Sequence, residues 1–268
     1  MTAATPTKKD RRDQARRERL EREQAEAAAA ARRRRFTRLG AVLAAAAVVV
    51  VALVAVSSSG GGGDKTAATG SAASSSSASS LAGVQASADL LKGIPQDGIS
   101  LGSAKAPVRV LEFADLQCPF CRQATLDVLP SVIKDYVRPG RVRMEFHALA
   151  FIGPDSVRAA RVAEAAGRQD KLWNVTELAY HNQGKENSGW ATDATLKRIT
   201  GAVPGLDTNK VFAARNGTGV TNALKAAGAL ATAHKVNETP TFLVGRGNDL
   251  KATDAAGLTA AIKAAVGS

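Results

Sequence analysis

Two cysteines, three residues apart, constrain this chain more than any other feature: Cys118 and Cys121 are the only thiols in 268 residues. A covalent framework needs bridges that close long loops, because the stabilisation grows with loop length. A bridge between these two closes almost nothing, so apolar burial has to hold the fold. The pair is there for chemistry or for a metal. Pro107 opens a short apolar run, 108–113, that reads as a buried strand, and a helical pattern follows the cysteines to about Val137, with Val128, Leu129, Val132 and Ile133 on one side. The thiols therefore stand where a strand hands over to a helix.

That position has a chemical consequence. The thiolate is the nucleophile in disulfide exchange, and a helix N-terminus offers unpaired N–H groups and the positive end of its dipole to stabilise it. Cys118 lies at that start, with Pro119 at the first helical position, where its missing N–H is no loss. Cys121 falls one turn further in and is expected to be shielded, with the higher pKa. A half zinc site is the competing use of such a pair. Zinc would need two further ligands, and only His147, His181 and His234 remain, at no finger-like spacing. The shortage of ligands favours redox chemistry and no metal. Isolated His147, Trp173, Trp190 and Tyr180 are read as packing residues.

Pattern continues beyond the helix. Pro139-Gly140 marks a turn, 141–149 alternates like a second strand, and an Ala-rich helical tract runs through 155–181 and 193–236. A third strand at 241–244, a fourth at 250–252 and a closing helix at 255–266 complete an α/β sheet domain over 93–268, with a helical insertion at about 153–236.

Charge and hydropathy divide the remainder. The first 38 residues carry 13 Lys and Arg against 6 Asp and Glu, so most of the net +12 sits in a short leader and the body is only mildly basic. A folded nucleic-acid binder would want its basic face on the body, so no nucleic-acid partner is expected. Residues 1–38 read as a basic cytoplasmic tail. Residues 39–56 hold no charged or polar side chain and read as a single transmembrane helix. The arginines massed at 32–38 abut its N-terminal side, which places the N-terminus in the cytoplasm and the C-terminal body outside it, in the cell membrane's extracytoplasmic space. A cleaved signal peptide is the rival reading. Residues 57–92 read as a flexible Ser/Gly/Ala linker, of which 57–80 would reach about 25–30 Å on average.

The stretch 99–121, ISLGSAKAPVRVLEFADLQCPFC, resembles the start of the DsbA-like branch of the thioredoxin superfamily. The resemblance extends to Glu238-Thr239-Pro240-Thr241-Phe242 and covers essentially 93–268. It implies a thioredoxin-like fold with an inserted helical subdomain. It also implies that Cys118 is the reactive thiol, that Cys121 is its buried partner, and that the two form a redox-active disulfide with no other cofactor. Thr239 and Pro240 match a cis-proline loop facing that disulfide, where Thr239, Phe120 and Pro119 would meet substrate peptide. Glu112, six residues before Cys118, matches a buried carboxylate that helps move the proton of the second thiol, with Asp115 as a competing loop acid. Phe120 departs from the strong oxidase pattern, which has His there. The implied function is a membrane-anchored thiol–disulfide oxidoreductase of bacterial type that introduces disulfides into exported proteins with free thiols. A quinone-linked membrane oxidase would reoxidise it. A disulfide isomerase or reductase, and a non-catalytic chaperone or metal-binding module on the same fold, are the alternatives.

Overall fold

The computed structural model describes residues 81–267. The expected basic tail, the membrane-spanning stretch 39–56 and the linker over 57–80 lie outside these residues. Among the described residues, no helix is long and apolar enough to cross a membrane.

Helix α1 (Val84–Leu91) comes first, then strands β1 (Gln96–Asp97), β2 (Ser100–Leu101) and β3 (Val108–Ala114). A helical stretch, α2, runs through 119–137, and β4 (Val142–Ala148) follows it. Five helices come next: α3 (Pro154–Gly167), α4 (Leu172–His181), α5 (Asp193–Gly201), α6 (Thr208–Ala214) and α7 (Thr218–Ala233). Strands β5 (Thr241–Arg246) and β6 (Asp249–Thr253) and helix α8 (Leu258–Gly267) close the chain. The sheet order is β1-β2-β4-β3-β5-β6. β3 pairs parallel with β4, Val108 opposite Val142, and antiparallel with β5, Leu111 opposite Leu243. This is the expected thioredoxin-like sheet carrying a helical insertion between β4 and β5.

β3 is central, and every residue in it except Arg109 is buried. Alternation along a strand sends its side chains to opposite faces. Val108, Val110 and Ala114 join the main core with Cys121, Leu129, Phe146 and Trp173. Leu111 and Phe113 join a smaller cluster with Leu243 and Ala231 of α7. By the same alternation Glu112 points into the main core, toward the side that holds Cys121.

α2 is not a uniform α-helix: 124–128 and 133–137 are π-helical. Pro130 has no N–H to donate to Leu126, and the Leu129 N–H instead reaches the Ala124 carbonyl five residues back.

One boundary differs from expectation. Residues 84–91, placed in the linker by composition, form α1, and Ser87 and Leu91 are buried. The partners that order it lie far away in sequence. The Asn182 amide bonds both the N–H and the carbonyl of Ala82 at 2.9 Å. Arg138 donates to the carbonyls of Leu90 and Lys92 at 2.8 Å, satisfying the helix's free C-terminal end. Gly83, at φ 77°, seats against the His181 ring, where a Cβ would lie 2.2 Å from Cγ.

The insertion is fastened to the sheet through Trp173. Its indole N–H donates to the Ile99 carbonyl at 2.9 Å, and its ring meets Phe146 of β4 edge-on at 6.0 Å. Trp173→Ala is expected to lower unfolding stability by about 3–5 kcal/mol in denaturant titration, the cost of a large buried aromatic plus the cavity left behind. A loss below about 1 kcal/mol would show that the insertion docks independently of this contact.

Candidate active site

Cys118 is the N-cap of α2, with φ −69° and ψ 120°, and Pro119 follows at the first helical position. The Cys118 sulfur accepts the backbone N–H of Cys121 at 3.4 Å. On its other side the sulfur lies 3.4 Å from the Thr239 carbonyl, and the Thr239–Pro240 peptide is cis. The structure holds both cysteines as free thiols. The loop 121 residues away encloses the sulfur more than a bare helix start would, so Cys118 is only 5 % exposed.

The two thiols are electrostatically unlike. The Cys121 thiol and backbone N–H groups at the helix start bond to the Cys118 sulfur and, against the opposing effect of burial, draw its pKa down to about 6. Cys121 is fully buried, and burial first, then its position beside Cys118, push its pKa far up. One sulfur is a thiolate at neutral pH while its neighbour keeps its proton. Phe120 is 60 % exposed and lines a groove of about 500 Å³ together with Val128, Thr239 and Pro240. The structure thus brings Cys118, Pro119, Phe120, Cys121, Thr239 and Pro240 to one place.

Beneath the helix start lie buried carboxyl groups. Glu112 is fully buried, and neither of its carboxylate oxygens has a hydrogen-bond partner. Burial, with a smaller effect from Glu177, pushes its pKa up to about 8. Glu177 of α4 is 2 % exposed, with one oxygen unpartnered, and burial raises it to about 8 as well. Glu177 did not stand out in the sequence. An acid among Trp173, Thr176 and Tyr180, on the buried stripe of an amphipathic helix, is the signal that could have found it.

Asp115 differs from its neighbour in kind. It is buried, but its carboxylate accepts from Ser156 Oγ at 2.7 Å, from the N–H of Gln117 at 2.8 Å and from the N–H groups of Phe151 and Ile152 at 3.1 and 3.2 Å. It ties three segments together around the loop that delivers Cys118. Tyr180 hydroxyl donates to the Asp115 carbonyl, and the Gln183 amide donates to those of Leu116 and Cys118, so the insertion holds that loop too. His147 stacks on Phe113, in the smaller cluster on the opposite sheet face from Cys121, and His181 packs on Gly83. Among the described residues no three His, Cys, Asp or Glu side chains gather as a metal site would require.

Two measurements check this electrostatic picture. Alkylation of the reduced protein by iodoacetamide should rise with pH about a midpoint near 6 and arise from Cys118, with Cys121 modified only after unfolding. A midpoint near the ordinary thiol value of about 8.5 would contradict it. For Glu112, the unfolded chain ionises near 4.3 and the folded chain near 8, so between those values the folded state binds the extra proton. Its contribution is therefore intact at the acid end and is lost as pH rises toward 8. Glu112→Gln should make the fall in unfolding stability between pH 5 and 8 shallower by about 1 kcal/mol per pH unit; an unchanged slope would place Glu112 in contact with water.

A family profile described as thioredoxin matches residues 95–264. A Bacillus cereus protein named "Probable disulfide bond formation protein D" is 40 % identical over 102 residues, 37 % of this chain and 47 % of that one. This chain thus matches about half the length of that curated relative. The crystal structure of oxidised BdbD from Bacillus subtilis superposes with TM-score 0.57 at 23 % identity, over 65 % of this chain and 98 % of that one. DsbA of Chlamydia trachomatis superposes with TM-score 0.54 at 19 % identity, over 63 % and 89 % of the two chains. Those two likenesses establish shared architecture, and the profile match spans more than half of the sequence. The chain belongs to the thioredoxin family.

Proposed function

We propose that this protein is a thiol–disulfide oxidoreductase that passes the Cys118–Cys121 disulfide to exported proteins. The observation that carries the reading is the split between the thiols, one ionised at neutral pH and one fully protonated, at a helix start 3.4 Å from the Thr239 carbonyl. The name of the Bacillus cereus relative supports the direction.

In the proposed reaction a substrate thiolate attacks Cys118 Sγ. The bond between Cys118 and Cys121 breaks, and Cys121 leaves as a thiolate that takes up a proton. A second substrate thiolate then attacks the substrate sulfur of the mixed disulfide and releases Cys118 as a thiolate, a good leaving group because of its low pKa. Two electrons pass from the substrate to the chain, and the substrate gains a disulfide. Glu112 is neutral at pH 7 and faces the Cys121 side of the sheet, which suits it to supply the proton that Cys121 needs. Thr239, Pro240 and Phe120 line the groove where the substrate backbone would lie, and Pro119 leads into the helix beside them.

The site of action in this reading is outside the cytoplasm, with residues 39–56 as the anchor and a quinone-linked membrane oxidase restoring the disulfide. The support is the uncharged apolar run and the arginines on one side of it.

Cys121→Ala tests the reading: by the reverse of the final step, the Cys118 thiolate attacks a substrate disulfide and expels one substrate thiolate, and without Cys121 the chain has no thiol of its own to release the resulting mixed disulfide. Cells producing the full-length variant should accumulate covalent adducts with exported proteins that collapse on treatment with dithiothreitol, and Cys118→Ser added to it should abolish them. An absence of adducts, or adducts only with cytoplasmic proteins, would contradict it.

A further inference from the structure

We propose that the groove beside Cys118 selects substrate cysteines flanked by lysine or arginine, through the carboxylates of Asp127, Glu238 and Asp254. The inference rests on the oxidoreductase reading above and adds to it a class of substrate.

Three separate elements bring these acids to one groove. Asp127 projects from α2, Glu238 stands directly before Thr239 and Pro240, and Asp254 lies in the turn between β6 and α8. All three are exposed, and the same groove is lined by Phe120, Val128 and Pro240. No Lys or Arg lines it. That absence runs against the body of the chain, where 23 basic residues outnumber 18 acidic ones over 39–268. Lys235 and Lys251, close in sequence to Glu238 and Asp254, stay outside the lining.

Nor are the charges consumed internally. Among the described residues Asp127 and Glu238 take part in no ion pair, and the residues one helical turn from Asp127 on either side are Gln123, Ala124, Pro130 and Ser131. Asp254 uses one oxygen to accept the Gly257 N–H at 2.9 Å and keeps the other. Apolar walls with charge of one sign focus the field along a cleft. An extended peptide whose cysteine reaches Cys118 would lay its flanking side chains over these carboxylates, where a cation is attracted and an acid repelled. Because the acids are exposed, salt screens the effect.

The test uses the full chain in its disulfide form and three dithiol peptides that differ only in the residues beside their cysteines: Lys, Gln or Glu. Thiol loss should be faster with Lys than with Gln by about fivefold, and slower again with Glu. Raising the salt to about 1 M, where screening acts within about 3 Å, should bring the three rates together. The Asp127→Asn, Glu238→Gln, Asp254→Asn triple variant should do the same at low salt, and Asn at 254 can still accept the Gly257 N–H. Equal rates at low salt, or a preference that survives in the triple variant, would overturn the selectivity while leaving the oxidoreductase reading standing. If not even the Gln peptide is oxidised, that reading falls, and this inference with it.

Discussion

Everything at this site depends on the hydrogen bonds that converge on the Cys118 sulfur, from the Cys121 thiol first and then from the Cys121 backbone N–H, 3.4 Å away at a helix start. They are made to the ionised sulfur of the dithiol form. Closing a disulfide removes that negative charge and the benefit the helix start confers on it. Stabilising the thiolate therefore makes the disulfide the less favoured state and gives it a tendency to move to other proteins. The proximity of Cys121, held protonated by its burial, strengthens the same bias. A dithiol with two ordinary thiols would have no such preference.

The scaffold exists to place that sulfur. β3, buried on both faces and paired on both edges, ends three residues short of Cys118, and Asp115 spans the gap. Its carboxylate accepts the backbone N–H groups of Phe151 and Ile152 and the Ser156 hydroxyl, so the loop cannot shift without breaking several hydrogen bonds. The insertion adds a second brace through Tyr180 and Gln183. Buried carboxyl groups divide into two kinds here: Asp115 has its hydrogen bonds satisfied, whereas Glu112 has none. An acid left without partners in a core is costly, which is why Glu112 and not Asp115 invites a role in proton movement.

Much of this was legible in the sequence because it is local. The apolar run of β3, the alternation in β4, the helical tract between β4 and β5 and the placement of Cys118 and Pro119 follow from residues within one window. What the sequence hid depends on distant contact. α1 is only eight residues long, too short to be stable alone, and gains its order from Asn182, His181 and Arg138. β1 and β2 are two residues each, too short for a periodic signal. The enclosure of Cys118 comes from Thr239, and the like-charge effect of Glu177 on Glu112 from a helix 65 residues on. Local pattern carries no trace of the first, and of the second only an acid on the buried stripe of a helix.

The reduction potential of the Cys118–Cys121 couple, measured at pH 7 by equilibration with a glutathione buffer, tests the central claim most directly. If the helix start and the buried partner stabilise the Cys118 thiolate as described, the potential lies well above the roughly −270 mV of thioredoxin, toward the oxidising range near −120 mV. A potential at or below about −270 mV would mean that the thiolate gains nothing from its position, and the direction of electron flow argued for here would be reversed.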